Sequence, residues 1–168
     1  MANGSTNESG AAAREAFRVV LVEPDIPQNA GNIARLCAAT GTELHLVGPL
    51  GFQLTDAKLK RAGLDYWDEV SLFRHVSMEA MHLHFSSIRM LYFSTKGERP
   101  YTAADYRPGD ALVFGSESRG LPDPLLVANR EAVYNIPMRR DAVRSLNVSN
   151  AVSIVVYEAL RQAPVEWS

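Results

Sequence analysis

One cysteine, Cys37, is all the thiol chemistry in this 168-residue chain, so no internal disulfide can staple it. No apolar run reaches the roughly 20 residues that cross a bilayer, and none has the shape of a signal peptide, which together place the chain in a reducing cytoplasm. A formal net charge of -2 argues against indiscriminate attraction to polyanions, which depends on many neutralised phosphates. No Gly-x-Gly-x-x-Gly fingerprint occurs, and Leu121 and Pro122 stand where a P-loop needs Lys and Ser or Thr, so the familiar nucleotide cradles are excluded. There is also no internal repeat, low-complexity tract or linker. What remains is one domain, large enough to bury roughly 70% of the surface its unfolded form exposes.

Residues 1–14 are rich in Ala, Gly, Ser and Asn without an apolar period, and the reading is a disordered leader over 1–16 followed by a single domain over 17–168. Residues 17–22 form a buried-strand pattern, Pro24 and Pro27 end it, and a helix over 29–40 is closed by Gly41. Further strands are predicted at 43–47, 69–73, 88–94, 111–114 and 132–136, and further helices at 55–62, 77–85, 123–129 and 147–162. This alternation predicts an α/β fold: a mostly parallel sheet with helices on both faces and ligands beyond the carboxyl ends of the strands.

Three segments carry chemistry. In the first, Asn29, Asn32 and Arg35 recur every three residues and are expected to line one helix face while Ile33, Leu36 and Cys37 turn to the core. The second, from Phe114 to Pro122, follows a strand and sets Gly115 and Gly120 around Glu117 and Arg119. The third runs from Ile136 to Val152. There Ser145, Asn147, Ser149 and Asn150 crowd the start of a helix whose Val148, Ala151, Val152, Val155, Val156, Ala159 and Leu160 mark a buried stripe. One cap needs one such residue, so four of them beside Arg139, Arg140 and Arg144 point to a binding site. Lys58, Lys60 and Arg61, and Lys96 and Arg99, form two other basic groups that read as solvated surface. Gly-x-Ser-x-Gly is absent and all four histidines precede Ser116 and Ser118, which disfavours a serine hydrolase. His82 and His84 lack a partner at ligand spacing, so no metal is expected.

In this order and spacing the segments resemble the SPOUT superfamily of RNA methyltransferases, closest to its small tRNA (cytidine/uridine) 2'-O-methyltransferases of the wobble nucleotide. The resemblance rests on Glu23-Pro24-x-Ile26-Pro27-x-Asn29-x-Gly31-Asn32-Ile33-x-Arg35-Leu36-Cys37, the stretch from Arg61 to Tyr66, Lys96-Gly97, Phe114-Gly-x-Glu-x-Arg-Gly-Leu-Pro122, and the last run through Tyr157-Glu158. It covers nearly the whole chain beyond Phe17. It implies a C-terminal deep trefoil knot, which topology rules alone would not suggest. It also implies S-adenosylmethionine held by Phe93, Gly115, Gly120, Ile136, Ser145 and Leu146, a homodimer with a site shared between subunits, and the anticodon loop of tRNA as substrate, with leucine isoacceptors expected. A fold-retaining RNA-binding module without catalysis is the alternative, as is methylation at another tRNA or rRNA position.

Methyl transfer to a ribose hydroxyl is an in-line displacement that needs alignment and a route for the proton. Arg35 is expected to stabilise the developing oxyanion and fix the adjacent phosphate, because a guanidinium stays protonated and makes a poor base. Asn32 would orient Arg35 or the RNA, and Asn147 with Ser145 would shape the floor near the methyl group. Glu117 would tune cofactor binding or release, or else contact Arg119.

Overall fold

A computed structural model of the chain describes residues 15–53, 55 and 67–165. Among them seven strands make one sheet in the order β3-β2-β1-β6-β4-β7-β5, with every neighbouring pair parallel. They are β1 (Arg18–Val22), β2 (Glu43–Val47), β3 (Leu72–His75), β4 (Met90–Phe93), β5 (Arg99–Pro100), β6 (Ala111–Phe114) and β7 (Val133–Asn135). Among the described residues the helices are α1 (Pro27–Thr40), α2 (Met78–His84), α3 (Asp123–Ala128) and α4 (Val148–Gln162).

The central strands β1, β4 and β6 are apolar at nearly every position because both faces are covered. Val19, Leu21, Leu44, Leu46, Leu91, Phe93, Leu112 and Phe114 pack on one side with Ile33, Ala34 and Cys37 of α1 and the Val152, Val155, Val156 and Ala159 stripe of α4. The alternate residues Val20, Val22, Val47, Tyr92, Val113 and Val133 pack on the other side with Met81 of α2 and Leu126 of α3. Burial pushes the Cys37 thiol up to about 12.

Helix α1 starts two residues before the expected Asn29, since Pro27 fits the first turn, and it ends at Gly41 with φ of 66°. The strand expected at 69–73 begins at Leu72 instead. Trp67–Glu69 forms a 3-10 turn, and pairing with β2 sets the register Leu44↔Leu72 through Val47↔His75. The two-residue edge strand β5 escaped the sequence reading because it contains a proline, which an edge tolerates. The helix expected at 55–62 lies outside the described residues save Thr55, and the leader does so save Glu15 and Ala16. Glu15 is tied by an ion pair of 3.0 Å to Arg18.

β7 sits between β4 and β5 although β4 and β5 are close in sequence, so residues 94–98 bridge across it. The bridge is bonded to the strand it crosses: Ser94 N–H donates to Tyr134 O at 3.0 Å, and Asn135 Nδ2 donates to Gly97 O at 2.6 Å. Backbone rides on backbone here, since a Cβ on Gly97 would lie 2.5 Å from the Tyr134 carbonyl carbon.

On the α2 side His45 is fully buried and links Glu43 to His75, with contacts of 3.1 Å to each. A carboxylate only accepts, so His45 Nε2–H donates to Glu43, its Nδ1 accepts, and His75 Nε2–H donates to it. Desolvation drives the His45 pKa down to about 4, against the opposing pull of Glu43. Its folded pKa therefore lies below the ordinary value of roughly 6.5. The neutral form stabilises the fold fully above about pH 6.5, and that contribution is lost as pH falls toward 4 because the unfolded state takes up the proton first. We expect the unfolding free energy to drop by about 2–3 kcal/mol between pH 7 and pH 4.5 in urea melts, and His45→Gln to flatten that part of the profile. Equal pH profiles for the two proteins would contradict this.

Candidate active site at the carboxyl ends of the strands

The loops leaving β1, β4, β6 and β7 converge on one cavity of about 390 Å³. Phe93, Gly115, Gly120, Ile136, Ser145 and Leu146 all line it, as do Glu117 and Asn147. Asn32 and Arg35, by contrast, are exposed on α1 and do not contribute to its lining.

Loop 115–120 is a tight turn. Gly120 N–H donates to Ser116 O at 2.8 Å, Arg119 N–H donates to Ser116 Oγ at 3.1 Å, and Gly120 has φ of 68°. A Cβ on Gly115 would fall 2.1 Å from the Gly120 carbonyl carbon, so both glycines are required by geometry. The turn points Glu117 at the start of α1. Its carboxylate accepts from Asp25 N–H at 2.7 Å, from Ile26 N–H at 3.2 Å and from Asn29 Nδ2 at 3.1 Å. Ile26 occupies the N-cap position and has no side-chain oxygen to offer, so a carboxylate from a distant loop meets the positive end of the helix.

Arg119 reaches Glu23 at 2.9 Å, so the contact sketched between Glu117 and Arg119 gives way to two separate bonds into the β1–α1 loop. Glu23 has φ of 50°, a left-handed conformation that costs a side-chain-bearing residue about 1 kcal/mol. A third bond joins the loops, since the Ser118 hydroxyl donates to the Asp25 carboxylate. That bond is the main reason the Asp25 pKa is lowered, with desolvation opposing it and the Ser118 N–H and Arg119 charge assisting.

Asn29 was expected on an exposed face and is instead 5% exposed. Besides donating to Glu117 it accepts from Asn147 Nδ2 at 3.0 Å. Asn147 uses its oxygen as the N-cap of α4, accepting from Ser149 N–H at 2.9 Å and Asn150 N–H at 3.4 Å. A chain of side chains thus runs Glu117–Asn29–Asn147 and ties together the three segments singled out in the sequence. The overlooked signal was the helix period: Asn29 falls four and seven residues before Ile33 and Leu36, on the inward face.

The profile of the SpoU rRNA Methylase family matches residues 16–157. The chain belongs to that family. It is 48% identical over 147 residues to a tRNA (cytidine(34)-2'-O)-methyltransferase of Escherichia coli strain K12, covering 87% of this chain and 93% of that one. A protein of the same name from Burkholderia ambifaria is 48% identical over 153 residues, 89% and 97% of the two chains. Among solved structures, one described as giving insights into the 2-OH methylation of C/U34 on tRNA superposes with a TM-score of 0.82 at 49% identity, covering 89% of this chain and 97% of that chain. The SpoU methyltransferase AviRb from Streptomyces viridochromogenes, in complex with the cofactor AdoMet, gives 0.74 at 25% identity over 90% and 59%.

In this SpoU-family chain the Asn29–Asn147 bond should couple the two ends of the site. Asn29→Ala and Asn147→Ala are each expected to cost about 1–3 kcal/mol of unfolding free energy, with a coupling near 1 kcal/mol in the double-mutant cycle. Additivity within about 0.3 kcal/mol would show the bond to be energetically idle.

Proposed function

We propose that this chain transfers a methyl group from S-adenosylmethionine to the ribose 2'-hydroxyl of the wobble nucleotide of tRNA. The observation that carries the reading is the convergence of all three segments on one cavity, in a chain whose match covers 93% and 97% of the two relatives named for that reaction. The cavity suits a nucleoside-sized group: its volume falls in the range of small-ligand sites, Phe114, Ile136, Leu146 and Val148 give apolar walls, and loops 94–96, 115–120 and 145–147 bring peptide groups to its edge. Those residues would hold the cofactor, which supplies an activated methyl group on a sulfonium.

The residues of this chain do the rest. Tied to α1 and α4 through Asn29 and Asn147, the cavity is preorganised, which favours the in-line geometry of a displacement. The ribose hydroxyl must shed its proton as it accepts the group the cofactor would supply, and that proton would pass to water or phosphate. Arg35 stabilises the developing negative charge with its planar fork, and Asn32, one turn before it on the exposed side of α1, orients it or the RNA.

Both residues lie outside the cavity lining, so we place them opposite the cavity of a second copy, in a homodimer that sets α1 against its partner's site. Exposed Ile154 and Tyr157 on α4, next to α1, give that contact an apolar surface. We also propose that the chain following β7 passes beneath the 94–98 bridge as a trefoil knot, a reading supported by the placement of β7 between β4 and β5. A molecule pulled from its termini would then stop measurably short of the roughly 3.5 Å per residue of full extension. Full extension would rule the knot out.

Purified protein with labelled cofactor should label the 2'-oxygen of the wobble nucleotide in bulk tRNA. Unlabelled tRNA alongside normal calorimetric binding of adenosylhomocysteine would defeat the proposal. Arg35→Lys should lower kcat roughly 100-fold or more with an unmoved pH profile. A near-normal rate with a shifted pH optimum would count against a role for the fork.

A further inference from the structure

We infer that Arg144 is a substrate-positioning residue that grips a phosphodiester flanking the target nucleotide. The inference rests on the RNA-methylating reading above and adds to it a contact the reaction itself does not require. Five cations lie in the loops that line the cavity, Lys96 and Arg119 in the lining itself and Arg139, Arg140 and Arg144 between the lining residues Met138 and Ser145, and four are engaged. Lys96 pairs with Asp123 at 2.5 Å, Arg119 with Glu23 at 2.9 Å and Arg139 with Asp141 at 3.0 Å, while Arg140 Nη2 donates to Thr95 O at 2.9 Å. Arg144 is exposed and, among the described residues, makes no hydrogen bond or ion pair.

Its place is nevertheless defined. Arg144 immediately precedes Ser145, Leu146 and Asn147, which line the cavity, and Asn147 is bonded to Asn29 and caps α4. On the other side Arg140 is anchored to the bridge at Thr95, and Ala142 and Val143 N–H donate to Arg139 O at 3.2 and 3.4 Å, which folds the intervening loop into a turn. The backbone of Arg144 thus lies between two fixed points beside residues that line the cavity, and its guanidinium keeps five unused donors.

The chemistry of the acceptor says what it meets there. A ribose 2'-hydroxyl in RNA sits on the carbon next to the one bearing the 3'-phosphodiester, so every such substrate brings an anion to the rim whatever its base. A planar fork suits phosphate oxygens, and a contact of this kind orients the strand without reading sequence.

The test compares full-length wild type, Arg144→Gln and Arg107→Gln. Arg107 pairs with Asp105 at the amino ends of the strands, away from the cavity, and serves as a control for lost surface charge. For Arg144→Gln we expect KM for tRNA to rise roughly tenfold with kcat changed less than twofold. The slope of log binding constant against log salt should become shallower by about 1, as loss of a single phosphate contact requires. Adenosylhomocysteine affinity should stay the same, and Arg107→Gln should behave as wild type. Unchanged KM and slope for Arg144→Gln in an enzyme that methylates tRNA would overturn this inference alone. Loss of adenosylhomocysteine binding in Arg144→Gln would assign the residue to the fold and also overturn it. A wild type that leaves tRNA unmethylated would remove the functional reading and this inference with it.

Discussion

A carboxylate aimed at the blunt end of a helix organises this molecule. Glu117 accepts three N–H groups from the β1–α1 loop and α1, and through Asn29 the same network reaches the cap of α4. Hydrogen bonds to a charged group are worth about 1.5–3 kcal/mol net, and leaving their partners unsatisfied costs more than making them gains. The loop after β6, the start of the first helix and the start of the last are therefore fixed relative to one another by polar contacts. The apolar stripe of α4 against α1 and the sheet supplies the bulk of the burial beneath them.

This division of labour explains why the site can be both polar and rigid. Loops at the carboxyl ends of parallel strands have no ladder to hold them. Here each is tied to another: loop 115–120 to the β1–α1 loop through Glu117, Ser118 and Arg119, and the 94–98 bridge to β7 through Ser94 and Asn135. The strain accepted at Glu23 sits within the first of these ties, where surrounding bonds can hold an unfavourable backbone in place.

Much of this was readable from residues alone. The alternation of apolar strands and helices yields the parallel two-sided sheet, and the apolar period of α4 and the closing Gly41 hold to the residue, while Asn147, expected as the first residue of the last helix, is its cap. Eight of the ten residues singled out for chemistry, some such as Phe93 and Ile136 only through the family resemblance, line one cavity, though they are spread along the chain from Phe93 to Asn147. Less legible were features whose cause lies in a partner distant in sequence. β3 carries Phe73, Arg74 and His75, and its register depends on β2 and on the ring stacking of Phe73 and His45 at 4.6 Å. β5 exists because β7 passes beside it, and Asn29 turns inward because Glu117 and Asn147 wait there. Asn32 and Arg35 keep to the outer face because the same helix period that brings Asn29 inward carries them away.

Cys37 has a practical corollary. The only sulfhydryl of the chain is 1% exposed and its pKa is pushed up by burial, so thiol-directed reagents find nothing to attack in the folded molecule. A cysteine introduced at any surface position becomes a unique attachment point for a fluorophore or spin label. Movements of the cavity loops can then be followed without first stripping the native residue out.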